Sequence, residues 1–167
     1  MDEIDGSDIL GNPEAAHPRA RELMTEDFFW DCMDEDAPFG SDEGYEALHE
    51  FRDWRASHTS ASLVDCLSWI MSGRLAEYNQ ELLDESRVAQ DLGNPDGAFL
   101  ADHYDMFTLD TTVMATGLAQ LIFDGRIDSD AKPYLRVAAK RQLHPEVVSD
   151  EHRAVILRAV LRVIEAA

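Results

Sequence analysis

The sequence predicts an all-α fold, a compact single-domain bundle of about seven helices. Three observations carry this prediction. Apolar residues recur at three- and four-residue steps along most of the chain, no sustained period-two alternation appears, and Ser, Asp, Gly and Pro signals divide the chain into helix-length pieces. At 167 residues the chain is long enough to bury most of its apolar surface in one core. Residues 1–12 carry Gly6, Gly11 and Asn12-Pro13 among scattered acids and read as a mobile acidic lead-in, so the folded domain is expected over 13–167.

From Pro18, HPRARELMTEDFFWD places Leu23, Met24, Asp27 and Phe28 at helical spacings, with Pro18 suited to a first turn. Ala37-Pro38-Phe39-Gly40 breaks that helix. Ser41 then caps a second, with Asp42 and Glu43 set against the positive end of its dipole and an inner face of Tyr45, Leu48, Phe51 and Trp54. Ser60 or Ser62 opens a third, with Leu63, Val64, Leu67, Ile70 and Met71 as its stripe and Trp69 at the edge.

Leu75, Tyr78, Leu82 and Val88 continue the helical spacing until Gly93-Asn94-Pro95-Asp96-Gly97, the densest turn signal in the chain. A short strand or hairpin fits near 97–109, where AFLADHYDMFTL is ambiguous between strand and helix. Asp110 reads as the cap of TTVMATGLAQLIF, which ends at Gly125. Ser129 or Asp130 precedes AKPYLRVAAKRQL, and His144-Pro145 ends it. Ser149, Asp150 and Glu151 start the last helix, with Val155, Ile156, Val160, Val163 and Ile164 on its inner side and Arg153, Arg158 and Arg162 opposite.

Charge narrows the function classes. The 34 acidic and 14 basic residues give a net charge of -20, a field that repels phosphate backbones and anionic lipid. Neither direct nucleic-acid binding nor membrane binding is expected. The charge is uneven: residues 1–50 carry -14, residues 51–130 carry -9 and residues 131–167 carry +3. One negative end suited to a basic partner follows, together with a C-terminal segment able to meet acids in its own chain or in a second copy, as a homodimer. MDEIDGSDILGN lacks the basic start and apolar run of a signal peptide, and Cys32 and Cys66 read as reduced thiols, so a cytoplasmic location is expected.

The clearest candidate site is DCMDEDAPFGSDEGYE (31–46), which places seven carboxylates beside Phe28, Phe29 and Trp30. Aromatic anchors inside a charged rim are the composition of a protein interface, which nominates Trp30, Asp31, Asp34, Glu35, Asp36, Phe39, Asp42 and Glu43 as partner-binding residues. The same pattern also reads as core aromatics beside solvated acids.

A calcium-loop template started at Asp34 fails, because Pro38 and Phe39 occupy its fifth and sixth positions. Asp102, His103 and Asp105 offer two carboxylates and an imidazole in four residues, a set suited to a general base or to part of a metal site. No second His at helical spacing, nucleophile elbow, phosphate loop or dinucleotide fingerprint accompanies them. The residues therefore indicate no cofactor and favour binding over catalysis.

HPRARELMTEDFFW (17–30) and APFGSDEGYEALHEFRDWR (37–55) resemble the opening of a bacterial family of YfeS-like proteins. The resemblance covers the N-terminal third and implies a bacterial, cytoplasmic origin; no activity comes with it. In size, acidity and helical character the chain also resembles the immunity proteins that neutralise bacterial toxins. The expectation drawn from the whole is a non-enzymatic acidic protein that docks and occludes a basic protein partner. A small metal-binding protein or enzyme using Asp102, His103, Asp105 and the loop carboxylates is the alternative.

Overall fold

MFTLDTTVMATGLAQLIFD (106–124) has apolar or small residues on nearly every side, a composition that a helix carries only when it is surrounded. Other helices among the described residues pack around it. The computed structural model describes residues 6–94 and 104–167, which are all-α, with no strand among the described residues. In chain order the helices are α1 (Gly6–Gly11), α2 (Pro18–Leu23), α3 (Asp42–Ser57), α4 (Leu63–Ile70), α5 (Glu85–Leu92), α6 (Met106–Asp124), α7 (Lys132–Leu143) and α8 (Glu151–Ala166).

α6 packs against α2, α3, α4, α7 and α8. Leu109, Val113, Leu118 and Leu121 are completely buried within it, each contributing about 1.5–3 kcal/mol relative to exposure. Among the described residues it is the one helix long and apolar enough to cross a membrane, and 83% of that stretch is buried inside the fold. Its end is set by Gly125, which takes the left-handed conformation at φ 77° while a Cβ there would lie 2.3 Å from the His17 ring.

The cap signals mostly act where the residues placed them. Ser41 Oγ accepts the Gly44 N–H at 3.2 Å to open α3. Ser62 and Asp65 form a reciprocal capping box on α4. Asp150 Oδ1 accepts the Arg153 N–H to open α8, and His144 follows the last residue of α7.

Five expectations are corrected. Residues 6–11, within the expected mobile lead-in, form α1, and Ile9 and Leu10 enter the core. The helix from Pro18 stops at Leu23, and Asp27–Trp30 is a separate 3-10 turn, held as the Trp30 indole N–H donates to Met24 O at 2.9 Å. Residues 75–92 are two 3-10 turns (Leu75–Glu77, Gln80–Leu83) followed by α5. Asp110 does not cap α6, because Asp105 does so, accepting the Thr108 N–H at 2.7 Å and leaving Asp110 one turn inside the helix and completely buried. On α8, Ile156, Val160, Val163 and Ile164 are buried and Arg158 and Arg162 exposed as expected, but Arg153 is buried and Val155 is 47% exposed, the reverse of what was expected for those two. The strand or hairpin near 97–109 falls partly on 95–103, outside the described residues; within the described part, α6 has already begun at Met106.

Candidate functional site

The acidic loop between the Asp27–Trp30 turn and α3 is built by its own carboxylates. Asp31 Oδ1 accepts the N–H groups of Met33 (2.7 Å) and Asp34 (3.3 Å), and Asp34 Oδ1 accepts that of Asp36 (3.0 Å). The loop then closes so tightly that a Cβ on Gly40 would lie 1.6 Å from the Asp34 carbonyl oxygen. Asp31, Glu35 and Asp42 are exposed, Glu43 is partly exposed, and Met33, in the same loop, is 83% exposed.

The aromatics are distributed differently from the expectation. Phe29 and Phe39 are completely buried, and Trp30 is half-buried with its indole N–H occupied. Phe39 therefore belongs to the core and not to a surface that a partner could touch. The driving force is its apolar area, which the turn at Ala37-Pro38 directs inward.

The inner edge of the loop is held by α8. Asp34 Oδ2 lies 2.8 Å from His152 Nε2, and Asp36 Oδ1 lies 3.7 Å from Arg153 Nη1. Further along α8, Arg162 pairs with Glu26 at 2.6 Å. Basic residues of the C-terminal segment thus meet acids of the N-terminal segment within one chain. The Asp34 carboxylate raises the His152 imidazole above its ordinary value, with Asp36 and Asp150 adding to the effect.

Behind this edge lies a chain of buried charges. Arg141, with no exposed surface, forks onto Asp110: Nε donates to Oδ2 at 2.8 Å and Nη2 to Oδ1 at 2.7 Å. The Tyr78 hydroxyl donates to Asp110 Oδ1 at 2.5 Å, and Gln142 Nε2 donates to Oδ2 at 2.8 Å. Arg141 Nη1 reaches Asp91, which Arg87 also holds, and Arg153 Nη2 donates to Gln142 Oε1 at 3.1 Å. The chain of contacts runs from α5 through α7 and α6 to α8 and ends at the acidic loop.

Burial pushes the Asp110 carboxyl up, and Arg141, Tyr78 and Gln142 pull against it. Burial also works against the Arg141 charge, but Asp110, Tyr78 and Asp91 outweigh it and hold the guanidinium above its ordinary value. Burial lowers Arg153, opposed by Asp36, Asp110 and Asp150.

A cleft of about 450 Å³ opens over this chain where the ends of α5, α6, α7 and α8 meet the loop. Its polar lining includes Glu35, Asp36, Asp91, Asp105, Gln142 and Arg153, and its apolar lining is Leu92, Met106, Phe107 and Val147. The Arg153 guanidinium lies 5.2 Å from the centre of the Phe107 ring. Buried ionisable groups opening onto a concavity mark a candidate site on physical grounds.

Of the residues nominated for chemistry, Asp102 and His103 lie outside the described residues, and Asp105 is engaged as the α6 cap while lining the cleft. The described residues instead group Asp34, Asp36 and His152, one ligand atom from each lying within 4.8 Å of the others. Cys66 is buried, which pushes its thiol up to about 12, as expected of an inert cysteine; Cys32 is exposed.

Asp91, Asp110, Arg141, Gln142 and Arg153 were missed as site residues. The available signal was a charge falling on an apolar stripe: Asp110 stands three and four residues before Val113 and Met114, and Arg153 three and four before Ile156 and Leu157. Compared with known proteins, the chain matches no family model, no curated protein and no solved structure.

Proposed function

We propose that this chain is a non-enzymatic acidic binding protein that docks and occludes a basic protein surface in the bacterial cytoplasm, as an immunity protein or a regulator does. The observation that supports this most is the acidic loop itself, where the exposed carboxylates of Asp31, Glu35 and Asp42 accompany an exposed Met33. Carboxylates raise the encounter rate with a positive surface, and an exposed flexible apolar side chain adapts to what it meets. With Phe39 in the core, the apolar contact left to this segment is Met33 together with the half-buried Trp30. The loop is preorganised by its internal turns and by His152 and Arg153, so little ordering is left to do on binding.

The test compares wild type with a variant carrying Asp31→Asn, Asp42→Asn and Glu43→Gln as bait in extracts of the source cell. A basic protein retained by wild type, released by salt and lost by the variant is expected. If the two baits retain the same proteins, the proposal fails.

One observation favours a second reading, a divalent-cation protein: the grouping of Asp34, Asp36 and His152. Its weakness is that the Arg153 guanidinium already faces Asp36 and that Asp34 and His152 already engage each other. Calorimetric titration with zinc, with elemental analysis of the purified protein, decides it; stoichiometric metal would reverse the ranking. A homodimer through α8 has less support, since Arg153 and Arg162 pair within their own chain.

A further inference from the structure

The cleft between the loop and the helix ends has a charge pattern that selects its occupant. Four carboxylates, Glu35, Asp36, Asp91 and Asp105, line it against one guanidinium, that of Arg153. Arg153 is committed to the wall, through Gln142, Phe107 and Asp36. Asp91 is likewise committed, to Arg87 and Arg141. Glu35 meets no cation among the described residues, and Asp105 uses one oxygen on Thr108, so the charge left facing the cleft is negative. Beside these acids lies an apolar wall that includes Leu92, Met106 and Phe107.

A second concavity, about 520 Å³, shares Leu92 with the first and is lined by Glu85, Glu146 and His144. Leu92, 44% exposed, is thus an apolar ridge between two acid-lined clefts. A charged head on an alkyl stem fits each half of this pattern, because long basic side chains lay their methylenes on apolar surface and keep the charge among oxygens.

We infer that the cleft receives an arginine or lysine side chain of a basic polypeptide, whose charge meets Glu35 and Asp105 while its stem lies on Leu92 and Phe107 and its backbone crosses Leu92 toward the second cleft. The inference rests on the reading of this protein as a binder of basic partners and adds where the partner's side chain goes. A segment crossing a ridge between two acidic clefts is a polypeptide property, and a free small cation gains nothing from the second cleft.

The probe is a labelled peptide of alternating arginine and glycine, with a counterpart in which citrulline replaces arginine, followed by fluorescence anisotropy at low salt. Binding of the arginine peptide and not of the citrulline peptide is expected. Glu35→Gln with Asp105→Asn, which keeps an acceptor at the α6 cap, should weaken it about tenfold. Glu14→Gln with Asp130→Asn removes two exposed carboxylates that line neither cleft and should change it less than about twofold.

Amide shifts on peptide addition should centre on Leu92 and Phe107, and arginine amide should compete only at much higher concentration. If both variant pairs weaken binding equally and the shifts lie on the outer loop, the cleft assignment falls while the binding-protein reading stands. If the arginine peptide does not bind at all, the cleft assignment falls, and the binding-protein reading falls only if the two baits also retain the same proteins. Competition by arginine amide at the peptide's own concentration would overturn the polypeptide assignment alone.

Discussion

Asp110 shows how one misplaced charge organises an interior. A carboxylate completely buried in α6 is tolerable because Arg141, Tyr78 and Gln142 satisfy its oxygens. Asp110→Ala leaves the Arg141 guanidinium buried beside Asp91 alone, and should cost about 3–5 kcal/mol in urea unfolding. The double replacement Asp110→Leu with Arg141→Met should recover most of that loss, since paired removal strands no charge; a double variant as weak as the single one would contradict this.

His152 gives a pH prediction of opposite character, at the surface. Its imidazole is raised by the Asp34 carboxylate, so the charged form is favoured in the fold. The contact therefore stabilises the fold below the ordinary histidine range and is lost as pH rises through the raised value. In an NMR titration, the His152 midpoint should fall when Asp34→Asn is introduced. Identical midpoints would show that the pair does not form in solution.

Among the elements, the loop depends on steric closure as much as on charge. Gly40 is required by close approach, because a Cβ there would collide with the backbone of Asp34, which no side-chain rotation can relieve. Gly40→Ala should cost about 3 kcal/mol in thermal or urea unfolding and loosen the tie from Asp34 to His152, visible as a lowered His152 midpoint. A fully stable variant would mean that the loop has another conformation close in energy.

The helices whose starts were legible, α3, α4 and α8, have side-chain caps in an Ser/Asp-rich lead followed by an apolar stripe. Those misread lacked that contrast. Residues 75–92 have helical spacing, but Asn79 and Asp84 interrupt it at extended conformations, and α6 offers two acids, Asp105 and Asp110, of which sequence spacing does not choose the cap.

For the molecule as a whole, the net charge of -20 acts in two directions. Acids repel each other within the fold, as on α3, where burial together with Glu46 and Asp53 holds the Glu50 carboxyl above its ordinary value. Screening should therefore raise the melting temperature between low and high sodium chloride, while the same salt slows association with a basic partner. Calorimetric scans and stopped-flow rates across one salt series check both; a melting temperature that falls with salt would mean that the long-range intrachain pairs at Asp34, Asp36 and Glu26 outweigh the repulsion.

By itself the sequence determined the helical class, most of the caps, the polar outside of the loop and the sign of its field, because these follow from spacing and composition over a few residues. Only the tertiary structure decided that Phe39 goes inward, that α8 holds the loop through His152 and Arg153, and that Asp91, Asp110 and Arg141 meet beneath one cleft. Those contacts join residues far apart in the chain, and which charged side chain turns inward is fixed by whether packing brings it a partner that offsets the loss of water.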